Sequence, residues 1–266
     1  PYTTLFRSRS IKLLGSSTKV EKGRKVGITT AILYLAPADS APITRNGKSI
    51  NLCPWYSDGC RAGCLGEHAG RMVQNGVRNS REWKTALYLA APALFADLIR
   101  REVSLLQKRA AKLGTPLAVR LDGTSDLGLA DRFKLATEFP SVIWYDYTKS
   151  PARVTREDYR ENRHMTYSAS ERSESRATAK LALEKGHSVA AIVSRLPEGS
   201  EWSALQEAVS GTFSPTTVID GDETDARFLD TPQPRRDYRG DLQRGRGALV
   251  ALSVKGGAAV REKLGA

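Results

Sequence analysis

The chain alternates between short apolar runs and longer amphipathic stretches, a pattern that indicates mixed strands and helices. Strand candidates are apolar runs followed at once by polar residues, namely 26–36, 117–121, 142–147, 164–167, 189–193, 218–219 and 248–254. Helix candidates carry apolar residues at three- and four-residue spacing, namely 77–91, 92–113, 151–161 and 173–185. Strands that alternate with helices favour a parallel sheet with βαβ crossovers.

This order predicts an α/β fold, a partial or complete (β/α) barrel with mostly parallel strands and a cysteine loop after the first strong strand. An open doubly wound sheet is the alternative. The run PYTTLFRS at residues 1–8 reads as the in-frame translation of a sequencing adapter, so we expect a single α/β domain over residues 9–266. Residues 231–246 are polar and rich in Pro, Gly and Arg, which predicts a mobile basic loop.

All three cysteines of the chain, Cys53, Cys60 and Cys64, lie within one 12-residue window. A disulfide framework needs an even number of cysteines, so a cluster of three predicts one shared partner. Three thiolates can hold a [4Fe–4S] cluster and leave one iron without a protein ligand. With His68, the same thiolates complete a closed zinc site of three cysteines and one histidine. The sequence leaves both kinds of site open.

Polar side chains follow several of the predicted strands at the point where each strand ends. In folds of this class the carboxyl ends of the strands form the functional edge, so these side chains are expected to border one cavity with the cysteine loop. Each loop alone also fits turn formation and helix capping. The predicted catalytic residues are Asp122, Asp126, Asp146 and Lys149, with Lys149 as the contact to a phosphate or carboxylate. The predicted cofactor-binding residues are Thr124, Ser125, Thr148, Ser168 and Ser170.

Residues 220–230 form an acidic segment in a chain that is otherwise basic. Aspartates two or three residues apart in a glycine-containing loop can hold a divalent metal. Asp225, Arg227 and Asp230 fit equally well as a local set of ion pairs that fixes the loop.

The charge composition indicates what kind of molecule the protein binds. With 41 Lys and Arg against 29 Asp and Glu, the formal net charge is +12, which favours an acidic partner such as nucleic acid or a nucleotide. A basic surface that only maintains solubility is the alternative. No apolar run approaches the roughly 18 residues of a membrane-spanning helix. Unpaired thiols fit a reducing cytoplasm.

Several phrases together resemble a family of phage and prophage proteins of the gene product 88 type, a domain of unknown function. The phrases are Cys64-Leu65 with Ala69-Gly70-Arg71, Arg120 to Asp126, Tyr145 to Lys149, Val218 to Asp222 and Arg227 to Asp230. The resemblance extends from about residue 13 to the carboxyl terminus. It implies a mobile-element origin and a location in the cytoplasm of the host cell, and it brings no established activity.

The three-cysteine loop after the first strand of a partial barrel also resembles radical S-adenosylmethionine enzymes, more distantly. The spacing here is C-x6-C-x3-C, whereas that family usually has C-x3-C-x2-C, and Gly123-Thr124-Ser125-Asp126 stands where a Gly-Gly-Glu segment is usual. The resemblance implies a phage enzyme with a [4Fe–4S] cluster and S-adenosylmethionine as cofactors. The net charge and the phage resemblance favour nucleic acid or a nucleotide as its substrate. The alternative is a zinc-containing, nucleic-acid-binding phage accessory protein without catalysis.

Overall fold

The strands of the protein are short and spread along the whole chain. The computed structural model describes residues 11–15, 27–40, 44–45, 48–68, 70–156, 161–213, 217–230, 235–236, 242–243 and 245–255. The strands are β1 (Thr29–Ile32), β2 (Thr44–Arg45), β3 (Lys48–Ser49), β4 (Leu117–Arg120), β5 (Ile143–Thr148), β6 (Arg163–Ser168), β7 (Ser188–Val193), β8 (Val218–Asp220), β9 (Arg235–Arg236), β10 (Leu242–Gln243) and β11 (Leu249–Ser253).

Helices lie between most of these strands. They are α1 (Asp58–Ala62), α2 (Leu65–His68), α3 (Asn75–Ala90), α4 (Pro92–Lys112), α5 (Leu129–Arg132), α6 (Leu135–Glu138), α7 (Pro151–Thr155), α8 (Ser173–Glu184) and α9 (Glu201–Ser210). Two short 3₁₀ helices cover Gly70–Val73 and Arg227–Leu229. No described helix combines the length and the apolar composition needed to cross a membrane.

Seven strands form one sheet in the order β1–β4–β5–β6–β7–β11–β8, and every pairing within it is parallel. The first five strands follow chain order, as in a (β/α) barrel, and β11 inserts between β7 and β8. Among the described residues β1 and β8 form the two edges of the sheet and do not pair with each other, so the barrel is not closed. The predicted α/β fold with a partial barrel is confirmed.

The two faces of the sheet have different contents because successive side chains of a strand point to opposite faces. The outer face packs against the helices, where Val119 and Trp144 join the main core with Phe95 of α4. The inner face packs against the segment that follows β8, where Tyr145 contacts Phe228. Because all seven strands run the same way, their carboxyl ends meet at one edge, here called the carboxyl edge.

The sequence and the structure differ where the apolar pattern is weak. Helix α9 was not predicted, although Trp202, Leu205 and Val209 recur at helical spacing; none of its residues is fully buried. The helix predicted over 151–161 ends at Thr155, and residues 157–160 lie outside the described residues. Of the loop predicted at 231–246, the described parts include β9 and β10, which pair antiparallel, while 231–234, 237–241 and 244 lie outside the described residues.

Gly123 lies where the chain leaves β4 and passes the extension of β1. Its amide donates to the carbonyl oxygen of Leu33 at 3.0 Å. A Cβ at this position would lie 2.6 Å from that carbonyl oxygen and 2.7 Å from the ring of Tyr34. The close approach of the two backbones therefore requires glycine.

We expect Gly123→Ala to lower the free energy of unfolding by roughly 1–3 kcal/mol, because backbone atoms must move to admit the methyl group. Gly76→Ala is the matched control, since a Cβ there meets nothing within 4 Å. Gly76 is helical, so its replacement should leave stability unchanged or raise it by up to about 1 kcal/mol. Urea denaturation measures both, and equal effects of the two substitutions would contradict the close approach.

Candidate functional site

The cysteine segment follows β1 and lies over the carboxyl edge of the sheet. Cys53 precedes α1, Cys60 belongs to α1, and Cys64 lies between α1 and α2. All three thiols are unpaired and half-buried. The Sγ of Cys53 accepts a hydrogen bond from the amide of Ala38 at 3.3 Å and donates to the carbonyl oxygen of Thr124 at 3.5 Å. Cys53 is thereby attached to the ends of both β1 and β4.

The three thiols influence one another electrostatically. Burial raises the pKa of Cys53 to about 12, and negative charge on Asp126, Cys60 and Cys64 raises it further against the opposing amide of Ala38. Burial also raises the pKa of Cys64. No group of three His, Cys, Asp or Glu side chains in the described part of the chain is arranged to hold a metal ion. The thiols share a neighbourhood without forming a finished metal site.

A buried arginine lies beside this neighbourhood. Arg81 on α3 is 4% exposed and donates to the carbonyl oxygens of Gly66 at 2.5 Å and Met72 at 3.1 Å. Its Nε has no hydrogen-bond partner among the described residues, and none of the ion pairs found there includes Arg81. Burial lowers the pKa of Arg81, and the main opposing influence is negative charge on Cys64. Arg81 is therefore a buried cation that ionisation of Cys64 would favour most, with Glu67 and Glu82 as lesser partners.

Arg61, a second arginine of the segment, is paired with carboxylates. Arg61 contacts Asp39 at 3.0 Å and Glu67 at 2.6 Å. His68 is exposed on α2 and is not grouped with the cysteines, so the closed zinc set expected as an alternative is not formed among the described residues.

The loop after β6 fastens α1 in place. Ser57 caps α1, because its Oγ accepts from the amide of Cys60 at 3.2 Å, and the same hydroxyl donates to Glu171 Oε2 at 2.8 Å. Glu171 Oε1 accepts from the amide of Gly59 at 2.9 Å, and Arg172 donates to the carbonyl oxygen of Tyr56 at 2.8 Å. Sequence reasoning did not single out Glu171 as a site residue, because its partners lie more than 100 positions away.

Asp122 and Ser125 organise the loop after β4. The buried carboxylate of Asp122 accepts from Ser125 Oγ at 2.8 Å and from the amides of Leu127, Gly128 and Leu129 at 3.0, 2.9 and 3.1 Å. The carboxylate of Asp122 therefore accepts hydrogen bonds from residues of its own loop. The structure thus places both predicted site residues beneath the carboxyl edge.

Asp146 faces the outer side of the sheet with the neighbouring Trp144. Its carboxylate accepts from the amide of Asp122 at 3.0 Å and from Arg163 Nη2 at 3.0 Å. Burial raises the pKa of Asp146 to about 6, although Arg163 opposes this shift. Asp146 lies between sheet and helices, apart from the cysteine segment.

Four predicted residues do come together at the carboxyl edge. Asp126 accepts from Thr148 Oγ1 at 2.7 Å and from the amide of Lys149 at 2.8 Å. Lys149 Nζ donates to Ser168 O at 3.1 Å, Ser168 Oγ at 3.0 Å and Ala169 O at 3.1 Å. Burial lowers the pKa of Lys149, and negative charge on Cys60 and Glu171 opposes it. All three ammonium donors of Lys149 therefore have acceptors within the protein.

The remaining two predicted residues flank this group. Thr124 Oγ1 donates to the carbonyl oxygen of Leu35 at 2.5 Å, which ties the β4 loop to the end of β1. The amide of Ser170 donates to Ser175 Oγ at 2.9 Å, so the backbone of Ser170 is held by α8.

The acidic segment after β8 supplies ion pairs on the inner face. Asp225 lies 3.3 Å from Arg120 Nη1, and Arg227 Nε lies 3.2 Å from Asp230 Oδ2. The guanidinium of Arg120 lies 4.5 Å from the ring centroid of Tyr147. Of the two interpretations of this segment, these contacts fit the ion-pair set. Sequence reasoning missed Arg120, although its position one residue after buried Val119 signals the opposite face.

The comparisons with known proteins bear on the family. The family model described as Gene product 88 matches residues 8–259. The chain belongs to the gene product 88 family. A search of curated proteins and a search of solved structures each found no match to this gene product 88 protein.

Asp230 makes the stability of the protein depend on pH. Burial raises the pKa of Asp230 to about 7, against the opposing charge of Arg227. Between about pH 4 and pH 7 the folded state binds a proton that the unfolded state has released, so stability falls as the pH rises through this window.

We expect the stability of the wild type relative to Asp230→Asn to decline from pH 4.5 to pH 7.5 and then to level off. The decline should not exceed a few kcal/mol, since one pKa unit corresponds to about 1.4 kcal/mol. Urea denaturation of both proteins across this range measures it. Parallel stability curves would show that Asp230 is ionised throughout.

Proposed function

We propose that this gene product 88 protein binds a [4Fe–4S] cluster through Cys53, Cys60 and Cys64 and acts as an enzyme similar to radical S-adenosylmethionine enzymes. The proposed site is the segment that contains all three cysteines of the chain. Thiolates are the ligands that iron–sulfur clusters prefer. The amide of Ala38 already donates to Cys53, and hydrogen bonds to sulfur are one means of tuning such clusters.

Arg81 is the observation that carries the proposal. A buried charge is costly unless an opposite charge compensates it. Three thiolates bring negative charge to the position that Arg81 adjoins, with Cys64 as its leading charge partner. Without metal, Cys53 and Cys64 keep their protons near neutral pH because burial raises the pKa of both thiols. Metal binding then releases protons and supplies the charge that Arg81 lacks.

The arrangement of the segment favours an open cluster over a closed zinc site. His68 is exposed, so it leaves the fourth position free. The thiols must turn inward when metal binds, since no described group of three is arranged for a metal. Thr124 holds Cys53 and Glu171 holds the start of α1, so the required movement falls to the thiol side chains and to the residues around Cys64, beyond the second attachment.

The cluster would supply one electron to S-adenosylmethionine bound at its open iron. The residues of the carboxyl edge then have positioning roles in this proposal. Asp126 joins the loop after β4 to the end of β5, and Lys149 joins the ends of β5 and β6 beside Cys60. We propose a nucleotide or nucleic acid as the substrate, on the strength of the net charge of +12.

The second candidate is a zinc-containing, nucleic-acid-binding accessory protein of a phage. The basic composition favours it, because Lys and Arg bind phosphates without regard to sequence. It requires His68 to swing from its exposed position toward the cysteines.

Protein purified without oxygen should be brown and contain iron and acid-labile sulfide in equal amounts, as expected for a thiolate-bound cluster. Cys60→Ala should lose most of the iron, because a three-thiolate cluster depends on each ligand. His68→Ala is the control and should retain it. A colourless protein with one zinc per chain, lost equally in both variants, would show that the site binds zinc and not a cluster.

A second variant separates the charge of Arg81 from its packing. Arg81→Met removes the buried cation and keeps an unbranched side chain, so it should lower iron content while the metal-free protein remains folded by circular dichroism. Iron content equal to that of the wild type would show that Arg81 does not balance the negative charge of the iron–sulfur centre.

A further inference from the structure

The inner face of the sheet carries a mostly buried arginine with unused hydrogen-bonding capacity. Arg120 is the last residue of β4, and its side chain is 13% exposed. Nη1 reaches Asp225 at 3.3 Å, Nη2 reaches the carbonyl oxygen of Gly123 at 3.4 Å, and Nε has no hydrogen-bond partner among the described residues. A guanidinium has five N–H donors, and charge-assisted bonds are usually shorter than these.

The surroundings of Arg120 are aromatic and only partly neutralised. Tyr145, Tyr147 and Tyr34 all act on its charge, and the ring of Tyr147 lies beneath the guanidinium. Arg227 adds a second cation from the segment after β8, and its Nη1 also has no hydrogen-bond partner among the described residues. Asp225 and Asp230 face these two arginines. Burial raises the pKa of Asp230, so this carboxyl group stays neutral to a higher pH than an exposed aspartate does.

Arg120 is also connected to the cysteine segment through two successive peptide units. It donates to the carbonyl oxygen of Gly123, and the next carbonyl oxygen, that of Thr124, accepts from the Sγ of Cys53. The guanidinium and the thiol therefore lie at the same end of the sheet. A molecule held by Arg120 would adjoin the proposed centre.

We propose that Arg120 forms a binding site for an oxyanion, a carboxylate or phosphate group, on the inner face of the sheet beside the cysteine segment. The planar fork of arginine matches both groups, because each presents two oxygens for parallel hydrogen bonds. Asp225 occupies part of the fork in the free protein. The incoming oxyanion displaces this carboxylate from Nη1, which Asp225 contacts at 3.3 Å.

Assigning this oxyanion to the substrate rests on the proposed function, whereas the oxyanion site itself does not. Binding is therefore measured on metal-free protein, so its failure and a failure to bind iron are separate results. The probes are inorganic phosphate and sodium acetate, each compared with sodium chloride at equal ionic strength by titration calorimetry and thermal unfolding.

We expect phosphate or acetate to bind the wild type, and Arg120→Gln to weaken that binding at least roughly tenfold, as expected for the loss of a charge-assisted pair. Asp225→Asn should strengthen it, because the competing internal carboxylate is gone. Arg195→Gln is the control, since Arg195 is exposed and paired with Glu201, and it should bind like the wild type. The tighter of the two probes identifies the oxyanion as phosphate or carboxylate.

Arg120→Lys keeps the charge without the fork, which separates loss of binding from loss of folding. It should remain folded by circular dichroism and bind more weakly than the wild type. Equal responses of the wild type and Arg120→Gln would overturn the site, because they would show only screening by a basic surface. Unchanged or weaker binding by Asp225→Asn would overturn the exchange.

Discussion

The carboxylate of Asp122 holds together the loop on which the carboxyl edge is built. It accepts four hydrogen bonds from residues 125–129, and the amide of the same residue donates to Asp146 on the next strand. Asp146 in turn is held by Arg163 of β6. The end of β4 is thereby fixed relative to β5 and β6 by buried polar contacts, which are costly to break because no water replaces them.

This fixed loop presents two successive carbonyl groups in different directions. The carbonyl oxygen of Gly123 accepts from Arg120 on the inner face, and that of Thr124 accepts from Cys53 above the carboxyl edge. The cysteine segment gains its second attachment from Glu171 and Ser57. The proposed centre is therefore anchored to the sheet at Cys53 and at the start of α1, and Cys60 and Cys64 follow the second anchor along the chain.

The sequence was sufficient for the elements whose apolar pattern is strong. The helices at 75–90 and 92–112 and the strands of the parallel sheet agree with prediction within a few residues. The grouping of Asp126, Thr148, Lys149 and Ser168 also follows from the shared edge of parallel strands. The place of β11 between β7 and β8 was not predictable, because strand pairing over long separations leaves no local signal.

Individual roles were harder to predict because they depend on partners far along the chain. Asp146 and Tyr147 are neighbours, yet one faces the helices and the other the inner face, since alternation along a strand reverses the environment at each step. The role of Lys149 as the contact to a phosphate or carboxylate stays a prediction, and in the structure its three ammonium donors have acceptors at the end of β6. Arg81 was not singled out from the sequence, because its burial without an ion pair among the described residues is visible only in the folded protein.

X-ray absorption at the iron edge of protein reconstituted without oxygen tests the central claim most directly, because it reports the ligands of the bound metal. The account predicts a first shell dominated by sulfur and a second shell of neighbouring iron atoms, with both lost in Cys60→Ala. A first shell of nitrogen and oxygen without neighbouring iron would contradict it, as would an absence of bound iron in protein that binds zinc under the same conditions.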